Sequence, residues 1–487
     1  RAAALCSALE AAGIDPPARL AVLLDNSIEM VISEWACLHS GYWWVALNVR
    51  SSARELEEIL ADAQPSVLIV GCRHLALIKN VMLPGGCLIV TIGGDDDDWR
   101  QLLASAASPD AAHSAGSAPA AEDGVRIRYT SGTSGRPKGA VLPRRCYDAS
   151  VAAVTRVIEP LDRDDVVLQV APMTHASGAM LLPHVAVGAR ALLCTSFTPA
   201  ALIEIVASRA VTAMFLVPTM LIRLIERLAT TGEVAKVSSL RTIVYGGASM
   251  PVDRLIAGLD LLGPVFVQIY GLTESTWPVA ALSRNDHRRR DSENDQRWRE
   301  RLQSCGRPTE VGEVRVVDPS GGEAVAGQPG ELWVRGANTM SGYWRCGDAG
   351  SADLKGLDSD GWMHTGDVGY RNADGYLVIV DRLHDMIVSG GFNVYPREVE
   401  SALSTHPAVL ESAVVGRPSP EWGESVHAFV VLRPGKQVNG EELARHCGLQ
   451  IAAYKKPRSV DFVTALPKNA AGKILRRELR ERLAPAR

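Results

Sequence analysis

The chain has 487 residues, 47% hydrophobic and 22% charged, with a formal net charge of −4. This excludes a disordered chain and allows two or three globular domains. The charge balance also excludes a general nucleic-acid or membrane-surface binder, so a polyanionic ligand must be held by local basic groups.

Nine scattered cysteines without C-x-x-C or Cys/His ligand spacing read as buried thiols of a reducing compartment, not as disulfides or a zinc site. No apolar run is long enough to span a bilayer and no signal peptide opens the chain, which predicts a soluble, cytoplasmic protein. Arg1 is not an initiator and stands at the head of a helical pattern, Ala2 to Ala12, so further N-terminal sequence is expected.

Apolar runs at Leu20–Leu24, Val67–Val70 and Leu88–Ile92 alternate with helical stretches Ser27–Ser40 and Ser52–Ala61, the second opening on the capping box Ser52-x-x-Glu55. Strands apolar on both faces, separated by helices, predict a parallel sheet covered on both sides, hence an α/β body. Leu102–Asp123, rich in Ala, Ser and Pro after the acidic run Asp95–Asp98, reads as a solvated linker.

Tyr129 to Gly139 follows as Y-T-S-G-T-S-G-R-P-K-G. Glycines let backbone N–H groups converge on an anion, Ser and Thr hydroxyls add donors, and Lys138 supplies a point charge, which together suit a phosphate. The G-K-[ST] ending of a Walker A loop is missing, since the chain reads Pro137-Lys138-Gly139.

Further strands are expected at Val166–Val170, Ala191–Cys194, Met214–Val217 and Val265–Ile269. Three follow-on segments stand out: Ala171–Met180 (A-P-M-T-H-A-S-G-A-M), Val244–Met250 (V-Y-G-G-A-S-M) and Tyr270–Thr276 (Y-G-L-T-E-S-T). Turns after parallel strands are where α/β proteins place ligand groups. Asp286–Glu300, dense in Arg, Asp and Glu, reads as an exposed loop or helix face.

After Gly312 the pattern turns β-rich, with Glu313–Val317, Glu331–Val334 and Tyr376–Val380 between Gly/Asp turns. Gly361–Tyr370 reads G-W-M-H-T-G-D-V-G-Y, and from Asp381 the chain runs D-R-L-H-D-M-I-V-S-G-G-F-N-V-Y-P-R-E-V-E. A boundary is expected near Asp381, giving domains 1–381 and 382–487. The second holds a helix Pro396–Leu403 with proline first, strands Ser412–Val415 and Val426–Leu432, a helix Gly440–His446 and a basic tail, P-K-N-A-A-G-K-I-L-R-R, which contains Lys473.

These motifs, in this order from Leu20 to Arg477, resemble the adenylate-forming superfamily in its acyl- and aryl-CoA synthetase branch. The resemblance implies a large α/β N-terminal domain of parallel sheets with a β-barrel portion and a small mobile α+β C-terminal domain. It implies ATP, Mg²⁺ and coenzyme A as cofactors or co-substrates, and a carboxylic acid that passes through acyl-AMP to acyl-CoA.

Thr130, Ser131, Gly132, Thr133, Ser134, Gly135 and Lys138 would wrap phosphate. Gly246, Gly247 and Ala248 would line the adenine and acyl sites; Tyr270 would lie against the adenine, beside Gly271. Thr273 would bond the α-phosphate region, and Glu274, with Thr130, would hold magnesium.

Asp367 would accept both ribose hydroxyls, Arg382 would contact ribose or phosphate, and Lys473 would be the adenylation lysine. His175 and Ala176, with Gly247 and Gly271, would line the acyl pocket. Ser389, Gly390 and Gly391 would leave a tunnel for pantetheine, with Trp422 near the nucleotide of CoA and Lys455, Lys456 and Arg458 as phosphate contacts. The hinge falls on His384, where the family usually has Asp or Lys.

Amino-acid-activating relatives place an aspartate in the segment equivalent to Ala171–Met180, to pair an ammonium group whose unpaired burial would be costly. No acidic residue occurs there, which favours an uncharged aryl, alicyclic or medium-length acyl group. Loading of a carrier protein, a luciferase-like oxygenase and a non-catalytic nucleotide-binding regulator remain alternatives. The expected partners are small molecules, with no nucleic acid and no integral membrane, in a monomer or homodimer.

Overall fold

The computed structural model describes residues 1–94, 97–105, 118–131, 137–291, 293–344, 356–389, 392–468 and 474–483. They fall into two compact units. One comprises Arg1–Ser249, Ile256–Val314 and Val334–His364; the other comprises Met250–Leu255, Arg315–Trp333 and Thr365–Arg487.

The first unit contains two seven-stranded sheets. The first runs Gly342–Trp344, Pro137–Pro143, Gly124–Ser131, Trp43–Ala46, Arg19–Leu23, Val67–Gly71, Leu88–Ile92. The second runs Arg307–Pro308, Ala280–Leu282, Phe266–Tyr270, Thr242–Gly246, Ala213–Leu216, Val166–Gln169, Arg190–Leu193. Both are parallel through their centres. Each turns antiparallel at one end.

Alternation explains the continuous apolar runs. Leu20, Val22, Val67 and Ile69 point to one face of the first sheet, where they meet helices Ala2–Ala11 and Ile28–Ser40. Ala21, Leu23, Leu68 and Val70 point to the other and meet helix Ala53–Ala63. Both faces are covered, so no position along these strands favours a polar residue. Helix Ala53–Ala63 starts on its capping box, with Glu55 N donating to Ser52 Oγ (3.2 Å) and Ser52 N to Glu55 Oε2 (2.8 Å).

Most of the run Asp286–Glu300 is the exposed loop and helix face that its composition predicts, but the Glu293 side chain turns inward. Two helices form there, Arg284–His287 and Asp295–Gln303, and the side chains of Arg301 and Glu293 pair while almost wholly buried. Arg301 also donates to the carbonyls of Asp286 (2.7 Å) and Arg288 (2.8 Å). A single ion within an exposed charge run can be buried when a counter-ion and nearby carbonyls answer the pair.

His287 lies beneath this element, fully buried between Tyr245 Oη (2.9 Å) and the Ser283 carbonyl (2.7 Å). Burial pushes its pKa down to about 4. Between this value and the unfolded value of about 6.5 the unfolded chain binds the extra proton. Stability is therefore expected to fall as pH drops through that window, by about 3 kcal/mol from this residue. Urea midpoints at pH 7 and pH 5 check it: His287→Gln should show the shallower decline, and equal declines would refute the assignment.

The second unit contains most of a four-stranded sheet, Gly312–Val317, Gly330–Gly336, Met363–Arg371, Leu377–Arg382. Its other sheet runs Phe392–Val394, Ile387–Ser389, Gly423–Leu432, Val409–Ser419, with Ser459–Phe462 also paired to Gly423–Leu432. Helices Pro396–Ser404 and Gly440–Gly448 pack on one face of this sheet and Arg476–Leu483 on the other. The observed architecture is thus a large α/β body of parallel sheets with a smaller α+β C-terminal part.

Among the described residues no helix is long and apolar enough to cross a membrane. The eight cysteines described are all free.

Candidate active site

In the first unit the phosphate loop springs from an antiparallel hairpin that the sequence pattern did not reveal. Strands Gly124–Ser131 and Pro137–Pro143 pair with Thr130 opposite Lys138 and Ser131 opposite Pro137. Gly132, Thr133, Ser134 and Gly135 lie outside the described residues, as does the side chain of Ser131.

A third strand, Gly342–Trp344, lies against this hairpin with Tyr343 opposite Ala140. The Lys138 ammonium stands 5.4 Å from the Tyr343 ring centroid, and Tyr343 Oη donates to Glu274 Oε1 at 3.1 Å. Tyr343 therefore joins the phosphate-loop lysine to the carboxylate of the Tyr270–Thr276 turn. Burial, then the Glu274 carboxylate, raise the Tyr343 pKa, so it remains a neutral phenol.

The same neighbourhood fixes the turn. Met340 N donates to the Glu274 carbonyl (2.8 Å), Asn338 Nδ2 to the Ser275 carbonyl (3.0 Å), and Thr276 Oγ1 to the Asn338 carbonyl (3.2 Å). Thr276 is held at φ +25°, unusual for a β-branched residue. Strained backbone fixed by surrounding bonds is common where a ligand group must be aimed.

Tyr270 ends its strand, and a Cβ on Gly271 would lie 2.9 Å from the Thr276 carbonyl oxygen and 2.8 Å from Trp277 Cβ. Thr273 and Glu274 are half-buried. Gly246 is buried, and a Cβ there would come within 2.4 Å of the Ile269 carbonyl oxygen, so the adjacent strand dictates this glycine. Gly247 (φ +81°) and Ala248 are exposed beyond the strand end and open to a ligand.

The Ala171–Met180 segment is tied down by Asn26. Its Nδ2 donates to the carbonyls of Gln169 (3.1 Å), Ala171 (3.0 Å) and Cys194 (3.0 Å), and its Oδ1 accepts from Met173 N (2.9 Å). A Cβ on Gly178 would sit 2.3 Å from the Met173 carbonyl oxygen, so the bend requires glycine. His175 Nδ1 meets Thr174 Oγ1 at 2.9 Å, and Ala176 is half-buried.

His175 is exposed as a residue, yet protein crowds its imidazole. This crowding, then the cations of Arg128 and Arg50, push its pKa down to about 4, leaving an uncharged imidazole at neutral pH.

The donor set suits magnesium sparingly. Among the described residues no three His, Cys, Asp or Glu side chains cluster. Glu274 offers one carboxylate beside the phosphate-loop hairpin, which matches a hard cation that takes one or two protein oxygens and completes its shell with phosphates and water.

In the second unit Asp367 and Arg382 face each other across paired strands, with Arg382 Nε 2.6 Å from Asp367 Oδ1. Asp367 is buried and Arg382 half-exposed. Asp381 is buried and accepts from the amides of Arg382 (2.7 Å) and Arg397 (2.8 Å), supplying an anion to the first turn of helix Pro396–Ser404. His384 is exposed and its carbonyl accepts from Arg480 (3.3 Å), while neighbouring Asp385 is held by Arg480 (2.7 Å) and Arg476 (3.4 Å).

Ser389 is buried at the end of its strand, whereas Gly390 and Gly391 lie outside the described residues. The Arg458 guanidinium lies 4.1 Å from the Trp422 ring centroid, and Phe392 and Tyr454, both exposed, lie 4.9 Å apart. Lys456 is exposed, but Lys455 is engaged by both oxygens of Glu398 at 2.7 Å. Lys473 lies outside the described residues.

Residues 1–344 match the family model described as AMP-binding enzyme, and residues 398–473 the model described as AMP-binding enzyme C-terminal domain. A feruloyl-CoA synthase from an Amycolatopsis species is 37% identical over 485 residues, covering 99% of this chain and 92% of that protein. An indoleacetate–CoA ligase from Aromatoleum aromaticum is 34% identical over 483 residues, covering 99% and 91%. Among solved structures, an amide bond synthetase from Marinactinospora thermotolerans superposes with a TM-score of 0.85 at 31% identity, covering 99% of this chain and 92% of that one.

Proposed function

We infer the reaction from one premise: the chain belongs to the AMP-binding enzyme family, in the acid–CoA ligase branch of the adenylate-forming superfamily. It is an AMP-forming acid–thiol ligase, which couples a carboxylic acid to coenzyme A through acyl-AMP and releases pyrophosphate and AMP. The observation that carries our residue assignment is the Lys138–Tyr343–Glu274 contact chain, which sets a cation and a carboxylate around one phosphate loop.

The acid's carboxylate attacks the α-phosphorus of ATP and pyrophosphate leaves. No side-chain nucleophile is needed; what must be overcome is repulsion between carboxylate and triphosphate while the groups are held in line. We assign Lys138, the loop Thr130–Gly135 and Thr273 to the phosphates, Tyr270, Gly246, Gly247 and Ala248 to the adenine, and Asp367 with Arg382 to the ribose. Lys473 meets the charge that develops at the α-phosphate. Magnesium, when bound, neutralises phosphate charge, and Glu274 with Thr130 are the residues we give it.

In the second half-reaction the CoA sulfur attacks the acyl carbon, and AMP departs with the bonding pair. Ser389, Gly390 and Gly391 are assigned to the pantetheine arm and Trp422 with Arg458 to the CoA nucleotide. The C-terminal catalytic part begins at Arg382, with His384 as its hinge, a position that needs backbone freedom more than a given side chain.

An aryl, alicyclic or medium-chain acid is favoured by the Ala171–Met180 segment, which is neutral and built of small residues around an uncharged His175. The names of the relatives agree, since ferulate and indoleacetate are aryl acids. Pyrophosphate release across benzoates, cinnamates, alicyclic acids, fatty acids and amino acids, with and without CoA, tests the reading. At least one aryl or alicyclic acid is expected to give CoA-dependent thioester. Amide formation with added amine but no thioester would transfer the chain to the chemistry named for the amide bond synthetase. Turnover only with a carrier protein would make it a loading enzyme.

A further inference from the structure

Two arginines project from the strand that leads into the phosphate loop, Arg126 and Arg128, and both are at least nine-tenths buried. Alternate residues of a strand share a face, so Arg126, Arg128 and Thr130 form one row, with Arg128 about 7 Å behind Thr130. The Arg126 charge is answered. It pairs with buried Glu34 and lies over the rings of Trp44 (4.8 Å) and Tyr147 (5.1 Å).

Arg128 has no such partner. Its Nε is buried without a hydrogen bond, and among the described residues it forms no ion pair; its one specific contact is the face of Trp277, 4.5 Å away. Burial, then the neighbouring Arg126 cation, lower its pKa to about 9, so it remains charged at neutral pH. A buried cation with unmet donors is costly unless a ligand completes it.

Arg128 borders a cavity of about 30 Å³ whose wall also includes Trp277, Gly178, Ala179, Ser150 and Tyr147. Gly178 and Ala179 belong to the His175 segment, and Trp277 follows directly on the Tyr270–Thr276 turn. The space is of the order that holds about two water-sized groups, which matches the two oxygens of a carboxylate better than a ring. It therefore suits a substituent at the end of a substrate whose body lies nearer His175.

We propose that the acid substrate carries an acceptor oxygen at the end remote from its reacting carboxylate, best an anionic one such as a second carboxylate, and that Arg128 binds it. This rests on the assignment of the His175 segment to the acid, and it replaces the expected uncharged acyl group with one that is oxygenated, and best anionic, at its far end. The planar guanidinium offers paired donors that match a carboxylate, and a neutral hydroxyl or ketone would use one of them.

Pyrophosphate release is to be measured with three aryl acids of one skeleton, bearing at the far end a hydrogen, a neutral hydroxyl or ketone, or a carboxylate, for the wild type, Arg128→Met and Arg128→Lys. The wild type is expected to prefer an oxygenated acid over the plain one by on the order of 10²-fold in kcat/KM, because a plain end leaves the buried donors unmet. Arg128→Met should bring this ratio to about 1 whatever the absolute rates, and Arg128→Lys should retain part of it for the carboxylate alone.

A wild-type preference for the plain acid, or the same ratio in Arg128→Met, would overturn the proposal. If Arg128→Met does not fold, the wild-type ratio and its change in Arg128→Lys decide. Activity with none of the acids would instead overturn the aryl-acid reading on which the proposal is built.

Discussion

Lys473→Ala is expected to slow acyl-AMP formation by on the order of 10³-fold while thioester formation from supplied acyl-AMP stays near the wild-type rate. The asymmetry follows from where charge appears. In the first half-reaction the α-phosphorus becomes pentavalent and a carboxylate is driven against a polyphosphate, so removing the cation assigned there should raise that barrier most. In the second, a thiolate attacks a neutral acyl carbon and its one negative charge passes to the oxygen of the departing AMP, with no polyphosphate to oppose it. Pyrophosphate exchange reads the first step, and thioester appearance from synthetic acyl-AMP reads the second. Equal losses in both would mean that Lys473 serves the architecture or the nucleotide generally. A melting curve separates a folding defect from a catalytic one, since Lys468 pairs with Glu411 at 2.7 Å and bridges Ile474, and helix Arg476–Leu483 is anchored through Arg476 to Glu400 at 2.7 Å.

What the sequence disclosed and what it concealed divide along the range of the interactions involved. The central strands were legible because burial on both faces leaves an uninterrupted apolar run, as in Leu20–Leu23, and helix starts were legible because Ser52 and Glu55 lie within one turn of each other. The hairpin around the phosphate loop was not, because Arg126 and Arg128 break its apolar pattern, and only folding shows that one is paired with Glu34 and the other faces a cavity. Tyr343 had no local mark either: its partner Glu274 is 69 residues away. Asn26 was equally silent, since the three carbonyls it holds lie at least 143 positions further along the chain. The charged run at Asp286–Glu300 is mostly the exposed face that its composition suggested, but nothing local marked Glu293, whose buried partner Arg301 lies just beyond the run. For the proposed site, motif order pointed to Glu274, Asp367 and His175; the groups packed around two of these places, Tyr343 at Glu274 and Asn26 at the His175 segment, came only from the folded chain.

Glu274→Gln is expected to raise the magnesium concentration needed for half-maximal pyrophosphate release by about tenfold or more, and to lower the saturated rate by on the order of 10². The amide keeps the size of the side chain and can still meet Tyr343 Oη, so the substitution removes charge in preference to shape. Tyr343→Phe removes the other half of the pair. Its 3.1 Å hydrogen bond to Oε1 orients the carboxylate, and its ring lies against Lys138, so a smaller loss, about threefold to tenfold, should appear as altered metal dependence with the fold intact. The double variant discriminates between routes. If Tyr343 acts through Glu274, adding Tyr343→Phe to Glu274→Gln should cost little more, whereas independent action would multiply the two losses. A Glu274→Gln enzyme with the wild-type magnesium profile would remove Glu274 from the metal assignment and leave the Lys138–Tyr343–Glu274 chain as a packing feature of the phosphate hairpin.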